Sequence, residues 1–467
     1  MDGRVTRREV IKRGLIGAAG LTLLPAVVAA CNSATETPTP SPTPGPTPLP
    51  ATPTPAPTPT AAPATPTAVL SRQVTVGSSL SDPGVVKGMN AVSAAFTSAT
   101  GLTPTVDVID HGTFMDPTIL YFGQDVFTWF SGYRMRHFAD QGLVAAIDGV
   151  WAKVSGNFTE SFAKSVMGND GHSYGVPVDF YPWGMFYRKS VWAAKGYEEP
   201  TTWTGLLDLC AQMKKDRLTP IAFADKDGWP AMATFDILDL RLNGYDFHMG
   251  LMAGKEKWDD PRVTALFEAW RKLVPFYTAG SAGLTWQQAT DALVRKTAGM
   301  YYLGLFMTSE VARVDRTAID DLDFFPFPYF GNAFDAEKAI EAPVDILMMS
   351  SSSKTLADDL ENANAYLEFW AKGSTQMLMY EADNSYIPTA SDVDVSKLDR
   401  LSRKAVSIVS QARRITQFMD RDTRSDFSGA SGMQNFLLDF LKAPDQDLAK
   451  LQTRIQSYWD SLPADGG

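Results

Sequence analysis

Carboxylates and aromatic side chains occur close together at two places in this sequence. Asp179, Tyr181 and Trp183 alternate along a segment that we expect to be extended, so all three side chains point to the same side of the chain. Asp227 and Trp229 repeat this pairing in a polar loop. Carboxylates in an aromatic cleft suit either the binding of a polar ligand or the acid–base chemistry of a glycoside hydrolase. The alternative for Asp179 is a capping group in a buried strand.

Other catalytic motifs are incomplete. Ser161–Lys164 and Ser351–Lys354 match the Ser-x-x-Lys pattern, but the Ser-Asp-Asn and Lys-Thr-Gly tripeptides that complete it in β-lactamases are absent. No Gly-x-Ser-x-Gly nucleophile motif occurs, and the four histidines are scattered singly. The sequence therefore predicts no metal site and no cofactor.

The elements that carry these residues alternate between strands and helices. Segments 73–77 and 105–109 read as short strands, and the stretch between them reads as a helix through Val92, Ala95 and Phe96. Asp260 followed by Pro261 is a typical helix start, and a further helix is expected over 356–372 with Leu360 on its apolar face. This alternation predicts an α/β architecture with more than one lobe.

The N-terminal segment predicts export and lipidation. A twin-arginine pair, Arg7 and Arg8, precedes an apolar run over 15–30, which is shorter than the roughly 20 residues that a membrane-spanning helix needs. Small residues and then Cys31 follow this run. We therefore expect residues 1–31 to be a twin-arginine lipoprotein signal with Cys31 as the lipidated residue, and a retained anchor helix is the alternative.

The segment 32–68 is expected to be a disordered tether. Between residues 37 and 68, 13 of 32 residues are proline, with mostly threonine and alanine between them. Such a composition cannot bury a core and favours extended polyproline geometry. The net charge of the whole chain is −11, which argues against nucleic acid as a partner.

The globular part, residues 69–467, resembles the bacterial family 1 extracellular solute-binding proteins, to which maltose-binding proteins belong. Five segments carry the resemblance in the same order along the chain. They are residues 125–143, 171–203, 218–229, 296–306, and 343–345 together with the expected helix 356–372 and the segment 385–388. One difference is visible, because Tyr187-Arg188-Lys189 stands where the family commonly has Tyr-Asn-Lys.

The resemblance implies an α/β, periplasmic-binding-protein-like clamp with two lobes and a ligand cleft between them. The chain is expected to cross between the lobes three times, near 178–183, 343–347 and 385–388. Lobe 1 then comprises about 69–178 and 347–386, and lobe 2 about 182–343 and 388–467. Ligand closure is expected to be hinge bending about the crossings.

The resemblance further implies a sugar as ligand, and sugar chemistry selects the candidate residues. Aromatic rings pack against the apolar face of a pyranose, while carboxylates accept hydrogen bonds from its hydroxyl groups. The ligand-binding candidates are Asp82, Trp129, Asp179, Tyr181, Trp183, Asp227, Trp229, Gly304, Phe306 and Asp345. Trp129 is expected in a turn after a strand. Trp129 and Phe306 have the alternative of a core position, and Asp82 and Asp345 that of a solvated turn or hinge cap.

The functional expectation is therefore a receptor that binds a disaccharide or oligosaccharide. It is expected to be a monomer, lipid-anchored at the outer face of the cytoplasmic membrane and touching that membrane only through its anchor. It would deliver the sugar to two permease subunits that are served by a cytoplasmic ATPase. A surface glycoside hydrolase is the alternative function, and it would release monosaccharide rather than retain intact sugar.

Overall fold

The computed structural model describes residues 73–81, 83–109, 123–351 and 356–463. The predicted signal, Cys31, the tether and Asp82 lie outside these residues. The strands are β1 (Gln73–Ser78), β2 (Thr103–Val108), β3 (Val126–Phe130), β4 (Gly175–Phe180), β5 (Trp183–Arg188), β6 (Thr219–Ala222), β7 (Ala298–Gly304), β8 (Leu322–Phe325), β9 (Ile340–Glu341), β10 (Val344–Met349) and β11 (Ile415–Thr416).

The helices of the first half of the chain are α1 (Pro83–Thr100), α2 (Tyr133–Asp140), α3 (Asp148–Val154), α4 (Glu160–Ser165), α5 (Lys189–Lys195), α6 (Trp203–Lys215), α7 (Pro230–Asn243) and α8 (Tyr245–Met252). Those of the second half are α9 (Pro261–Leu273), α10 (Trp286–Val294), α11 (Met307–Asp315), α12 (Ala318–Asp321), α13 (Leu356–Trp370), α14 (Gly373–Ala382), α15 (Arg400–Gln411), α16 (Met419–Asp422), α17 (Ser425–Ser428), α18 (Met433–Lys442) and α19 (Leu448–Ser461).

A five-stranded sheet with the order β2-β1-β3-β10-β4 forms the centre of lobe 1. Strand β1 pairs in parallel with β2 and β3, whereas β10 runs antiparallel to β3 and β4. Helix α1 connects β1 to β2 and buries Val92 and Phe96, and Phe96 makes an edge contact with Tyr366 of α13. The predicted β-α-β opening is confirmed, since an apolar helix face covers the parallel pair.

Lobe 2 is built on a four-stranded sheet with the order β6-β7-β5-β8, and β9 and β11 form a small parallel pair beside it. Strand β5 is antiparallel to both of its neighbours, and every residue of β5 and β7 is buried. Central strands covered on both faces read as continuous apolar runs, as Ala298 to Leu303 does.

The helix after Asp260 forms as expected, because the Asp260 side chain accepts a hydrogen bond from the N–H of Arg262 at 2.8 Å. Its apolar face, including Phe267 and Trp270, is buried. Helix α13 also forms, but it ends at Trp370, and Leu360 is 46% exposed although it was expected on the apolar face. Ala363 and Leu367 are buried on that helix.

The chain passes between the lobes where a strand of one sheet is followed by a strand of the other. Tyr181 and Pro182 link β4 to β5, and Ala342 and Pro343 link β9 to β10. At the third passage the chain stays with lobe 1 through Ser391, whose N–H donates to the carbonyl of Asn157 at 2.7 Å. Contacts with lobe 2 begin in α15, where Arg400 pairs with Asp323 at 2.9 Å. These contacts put the third crossing after Ser391, which is later in the chain than the predicted segment 385–388.

Candidate functional site

Six aromatic side chains come together where the first crossing enters lobe 2. We call them the aromatic cluster: Tyr181, Trp183, Trp229, Trp286, Phe306 and Phe418. Phe306 is at its centre, with its ring centroid 5.3 Å from that of Tyr181, 6.1 Å from Trp183, 6.0 Å from Trp229 and 5.4 Å from Trp286. Phe418 stacks on Trp183 at 5.5 Å. Four sequence candidates are thus in one place.

The ends of two strands and two helices position this cluster. Trp183 begins β5 directly opposite Gly304, the last residue of β7. Trp229 and Phe306 each immediately precede a helix, α7 and α11 respectively. A Cβ on Gly304 would lie 2.5 Å from Cε1 of Phe306 and 3.2 Å from Nε1 of Trp183. Glycine is therefore required at position 304 for the two rings to approach each other.

The cluster is mainly apolar and only partly exposed. Trp183 is 5% exposed, whereas Tyr181, Trp229 and Phe306 are half-buried. Within the described residues, Nε1 of Trp183 has no hydrogen-bond partner. A buried donor without a partner loses free energy that a ligand oxygen would restore.

A pair of carboxylates lies beside the cluster on the crossing strands. Asp179 of β4 and Asp345 of β10 are direct partners in the antiparallel ladder. Arg421 of α16 binds Asp345 with Nη1 at 2.8 Å from Oδ1, and its Nη2 donates to the hydroxyl of Tyr181 at 2.5 Å. The guanidinium also lies 3.7 Å from the ring centroid of Phe130. Arg421 therefore ties α16 to lobe 1 and the first crossing.

Asp179 has no such cation of its own. Burial raises the pKa of Asp179 well above its ordinary value, and the nearby Asp345 raises it further. Its Oδ1 has no hydrogen-bond partner among the described residues. A carboxyl group in this state can both donate to and accept from a hydroxyl group of a ligand.

Asp227 is exposed at the tip of its loop, and the neighbouring Asp225 is the buried acid. Burial raises the pKa of Asp225 to about 7, opposed by the N–H of Ala231, which donates to its Oδ1 at 3.0 Å. The Asp227 charge raises it further.

Trp129 lies within β3 rather than in a turn after it, and it is 5% exposed. Its ring packs 4.9 Å from Phe138 and 5.3 Å from Phe130, inside lobe 1. The candidate Asp82 lies outside the described residues, so its place relative to the cluster stays a prediction.

Sequence reasoning missed Arg421, Phe418, Trp286 and Asp225. Arg421 belongs to a run with several arginines between 413 and 424, and nothing in that run marks one of them as buried. Asp225 stands two residues before the predicted binding residue Asp227. The same polar loop could therefore have marked Asp225 as a candidate as well. Among the described residues, no group of three or more histidine, cysteine or acidic side chains could hold a metal ion. Nor is any helix in that part of the chain long and apolar enough to span a bilayer.

Two α/β lobes joined by crossing strands, with aromatic and acidic side chains at the crossings, define a two-lobed ligand-binding clamp. The chain belongs to the bacterial extracellular solute-binding proteins, whose family model matches residues 83–376. The predicted fold class and family are thereby confirmed.

A solved structure similar to this chain is that of the bacterial solute receptor AcbH, described as having an exclusive substrate preference for β-D-galactopyranose. It is 35% identical with a TM-score of 0.77, and the match covers 83% of this chain and 98% of that one. An uncharacterized ABC transporter extracellular-binding protein of Pyrococcus horikoshii is 30% identical over 42% of this chain and 44% of its own length.

A probable sugar-binding periplasmic protein of Brucella melitensis is 25% identical over 60% of this chain and 65% of its own length. The chain thus matches less than two thirds of the length of these two curated relatives.

Proposed function

We propose that this protein is the extracytoplasmic substrate-binding receptor of an ABC importer and that its ligand is a sugar. The observation that carries the proposal is the aromatic cluster beside Asp179, since it brings aromatic rings together with a carboxyl group whose Oδ1 has no hydrogen-bond partner among the described residues. The sugar preference described for AcbH, at 35% identity, supports the same ligand class.

The binding energy explains why such a receptor needs two lobes. An aromatic contact contributes about 1 kcal/mol beyond burial, and a net hydrogen bond contributes about 1 kcal/mol. A micromolar dissociation constant requires about 8 kcal/mol. Contacts from both lobes are needed to reach it, so the lobes close on the ligand by hinge bending about the crossing strands.

Two observations favour different sizes for the sugar. The number of aromatic side chains favours a disaccharide or oligosaccharide, as the sequence predicts. The preference described for AcbH favours a single galactopyranose ring. β-D-galactose and galactosides therefore come first in a ligand panel, followed by glucosides, polyols and glycerol phosphates.

The proposal includes the route and setting expected from the sequence. The chain would be exported, lipidated at Cys31, held at the outer face of the cytoplasmic membrane as a monomer and served by two permease subunits with an ATPase. A receptor held near its permease gains in effective concentration, which gives the tether over 32–68 a role in delivery.

A thermal-shift panel with the purified protein tests the proposal. A sugar that binds the folded state raises the melting temperature, and the sugar should be recovered intact. Release of monosaccharide from a galactoside or glucoside would instead support the glycoside hydrolase and overturn the receptor. The absence of any shift across the panel would overturn the sugar as ligand.

The variant Trp229→Ala tests the site itself. Trp229 is half-buried, so the variant should remain folded while the affinity for the sugar falls about tenfold or more. The control is Trp459→Ala, another half-buried tryptophan, which packs 4.6 Å from Phe427 away from the cluster. Trp183→Ala is less suitable, because truncating a buried tryptophan costs about 3–5 kcal/mol of stability. Equal sugar affinity in both variants would show that the cluster is not the site.

A further inference from the structure

A cavity lies between the lobes, and none of the residues of the aromatic cluster lines it. Its volume is about 210 Å³, the size of a small molecule rather than of a polypeptide segment. Lobe 1 lines it with Gly132, Arg136 and residues of α4, and lobe 2 lines it with Tyr245 of α8 and with the segment 412–417. Both lobes therefore line the cavity, so a ligand bound in it would contact both lobes at once.

Strand geometry places this cavity on the opposite face of the crossing strands. Val344 lines the cavity and pairs with Phe180, whereas the next residue, Asp345, pairs with Asp179. Successive side chains in a strand point to opposite faces. Phe162, which also lines the cavity, contacts Phe180 with 5.4 Å between ring centroids. The cavity and the carboxylate pair thus belong to two separate sites.

The lining of the cavity is strongly cationic, although the chain as a whole has a net charge of −11. Four cationic side chains border it: Arg136, Lys164, Arg413 and Arg414. Lys164 pairs with Glu160, but no ion pair among the described residues includes any of the three arginines. The Arg414 guanidinium lies 5.2 Å from the ring centroid of Tyr245, a contact that holds it at the cavity wall.

One carboxylate lines the cavity, and it is engaged within the protein. Asp422 accepts a hydrogen bond from the N–H of Gln417 at 2.8 Å. A Cβ on Gly132 would lie 2.9 Å from Oδ1 of Asp422, so the backbone of lobe 1 approaches this carboxylate closely. Burial raises the pKa of Asp422, and the nearby Arg136 charge opposes that rise. Among the described residues Asp422 forms no ion pair with the exposed Arg413 and Arg414.

We propose that this cavity binds a small anion carrying a phosphate or carboxylate group, with Arg136 of lobe 1 and Arg413 and Arg414 of lobe 2 as its ligands. Guanidinium groups form paired, charge-assisted hydrogen bonds with both anion types. Because both lobes supply contacts, the anion stabilises the lobe arrangement seen here over one with the lobes further apart. By reciprocity the anion and the sugar then change each other's affinity, a consequence that rests on the proposed function.

Calorimetric titration of the full-length purified protein with inorganic phosphate and, separately, with succinate tests the proposal at constant ionic strength. We expect one anion to bind per chain, and the tighter of the two identifies the preferred group. The double variant Arg413→Gln with Arg414→Gln should weaken binding at least tenfold, and Arg136→Gln should do so independently. The two residues of the double variant are exposed, so its melting temperature should be unchanged.

A charge-matched control separates a site from general electrostatic attraction. Lys195→Gln with Arg316→Gln removes two exposed cations elsewhere and should leave anion affinity unchanged. The proposal is overturned if neither anion binds at millimolar concentration, or if the control loses as much affinity as the double variant. The sugar panel is a separate titration, so a negative sugar result would count against the proposed function and not against this cavity.

Discussion

At the scale of single residues, Asp179 and Asp345 are neighbouring carboxyl groups that differ in their partners. Arg421 reaches Asp345 at 2.8 Å, and Asp179, its partner across the strands, has no ion pair among the described residues. The pKa of Asp179 is raised by burial first and by Asp345 second. A buried acid without an ion pair lowers the free energy of unfolding. Such groups are typical of functional sites, where binding is favoured over stability.

Asp179→Asn should therefore stabilise the protein and weaken sugar binding at once. An acid with a raised folded pKa takes up a proton on folding, so stability falls as the pH rises from 3.8, its unfolded value, toward the raised value. The asparagine variant lacks this loss. Its melting temperature should exceed that of the unchanged protein increasingly as the pH rises above 3.8, while its affinity for the sugar falls.

Asp394→Asn is a control in which the pKa shift has the opposite direction. The side chain of Ser396 holds the pKa of Asp394 below its ordinary value, so this carboxylate stabilises the fold above pH 3.8 and loses that effect as the pH falls. The Asp394 variant should be slightly less stable near neutral pH, and the difference should vanish in acid. A melting temperature of Asp179→Asn that is pH-independent relative to the unchanged chain would contradict the raised pKa.

At the scale of elements, the short helix α16 joins the two lobes. Its first residue, Met419, donates its N–H to Asp236 of α7 at 2.7 Å, which attaches the helix to lobe 2. Its Arg421 then reaches β10 and the first crossing in lobe 1. Gly132, with φ of 94°, lets the chain after β3 pass close to Asp422. The position of α16 therefore depends on contacts with both lobes.

A double-mutant cycle on Arg421→Met and Asp345→Asn measures this connection. Each single variant leaves a buried charge without its partner, so we expect a loss of about 3–5 kcal/mol in the free energy of unfolding. The double variant should lose less than the sum, by about 0.5–3 kcal/mol. Urea unfolding gives all four free energies.

The matched cycle uses Lys153 and Glu368, which also bridge two elements of the structure. Their ion pair is more exposed, with side-chain exposures of 64% and 28%. Its coupling should be about 0.2–1 kcal/mol. Strictly additive effects of Arg421→Met and Asp345→Asn would mean that the buried pair does not connect the lobes energetically.

At the scale of the whole molecule, the predicted anchor and the clamp serve one proposed task. The protein belongs to a family of extracellular solute-binding proteins, and its second cysteine, Cys210, is buried in α6. Burial raises the pKa of Cys210 to about 12, so this thiol is a poor nucleophile. Cys31 is accordingly the cysteine expected to carry lipid.

Metabolic labelling with an alkyne fatty acid distinguishes the two cysteines. We expect label on the unchanged chain and on Cys210→Ser, and none on Cys31→Ser. An acyl chain contributes about 0.8 kcal/mol of membrane affinity for each buried methylene, so its loss should also move the mature protein from the membrane fraction. Label that persists on Cys31→Ser would refute lipidation at this position.

Local patterns in the sequence were sufficient for much of the architecture. The β-α-β opening and the helix capped by Asp260 are both present, because they depend on apolar spacing and on hydrogen bonds between neighbours in the chain. The first crossing was instead predicted from the family resemblance, and Asp179, Tyr181 and Trp183 alternate along it. Leu360 and Trp129 show the limit of this reasoning, since periodicity alone does not reveal which neighbour covers a side chain.

The tertiary structure alone decided which residues meet across the lobes. Arg421 lies 76 residues beyond Asp345, and the lining of the cationic cavity is spread along the chain from Gly132 to Asp422. No short-range pattern marks such partners, because their contacts result from how two sheets and their helices pack. The sequence by itself therefore determined the elements, the family resemblance and most of the aromatic cluster. Tertiary packing determined the burial of Asp179 and the existence of the cationic cavity.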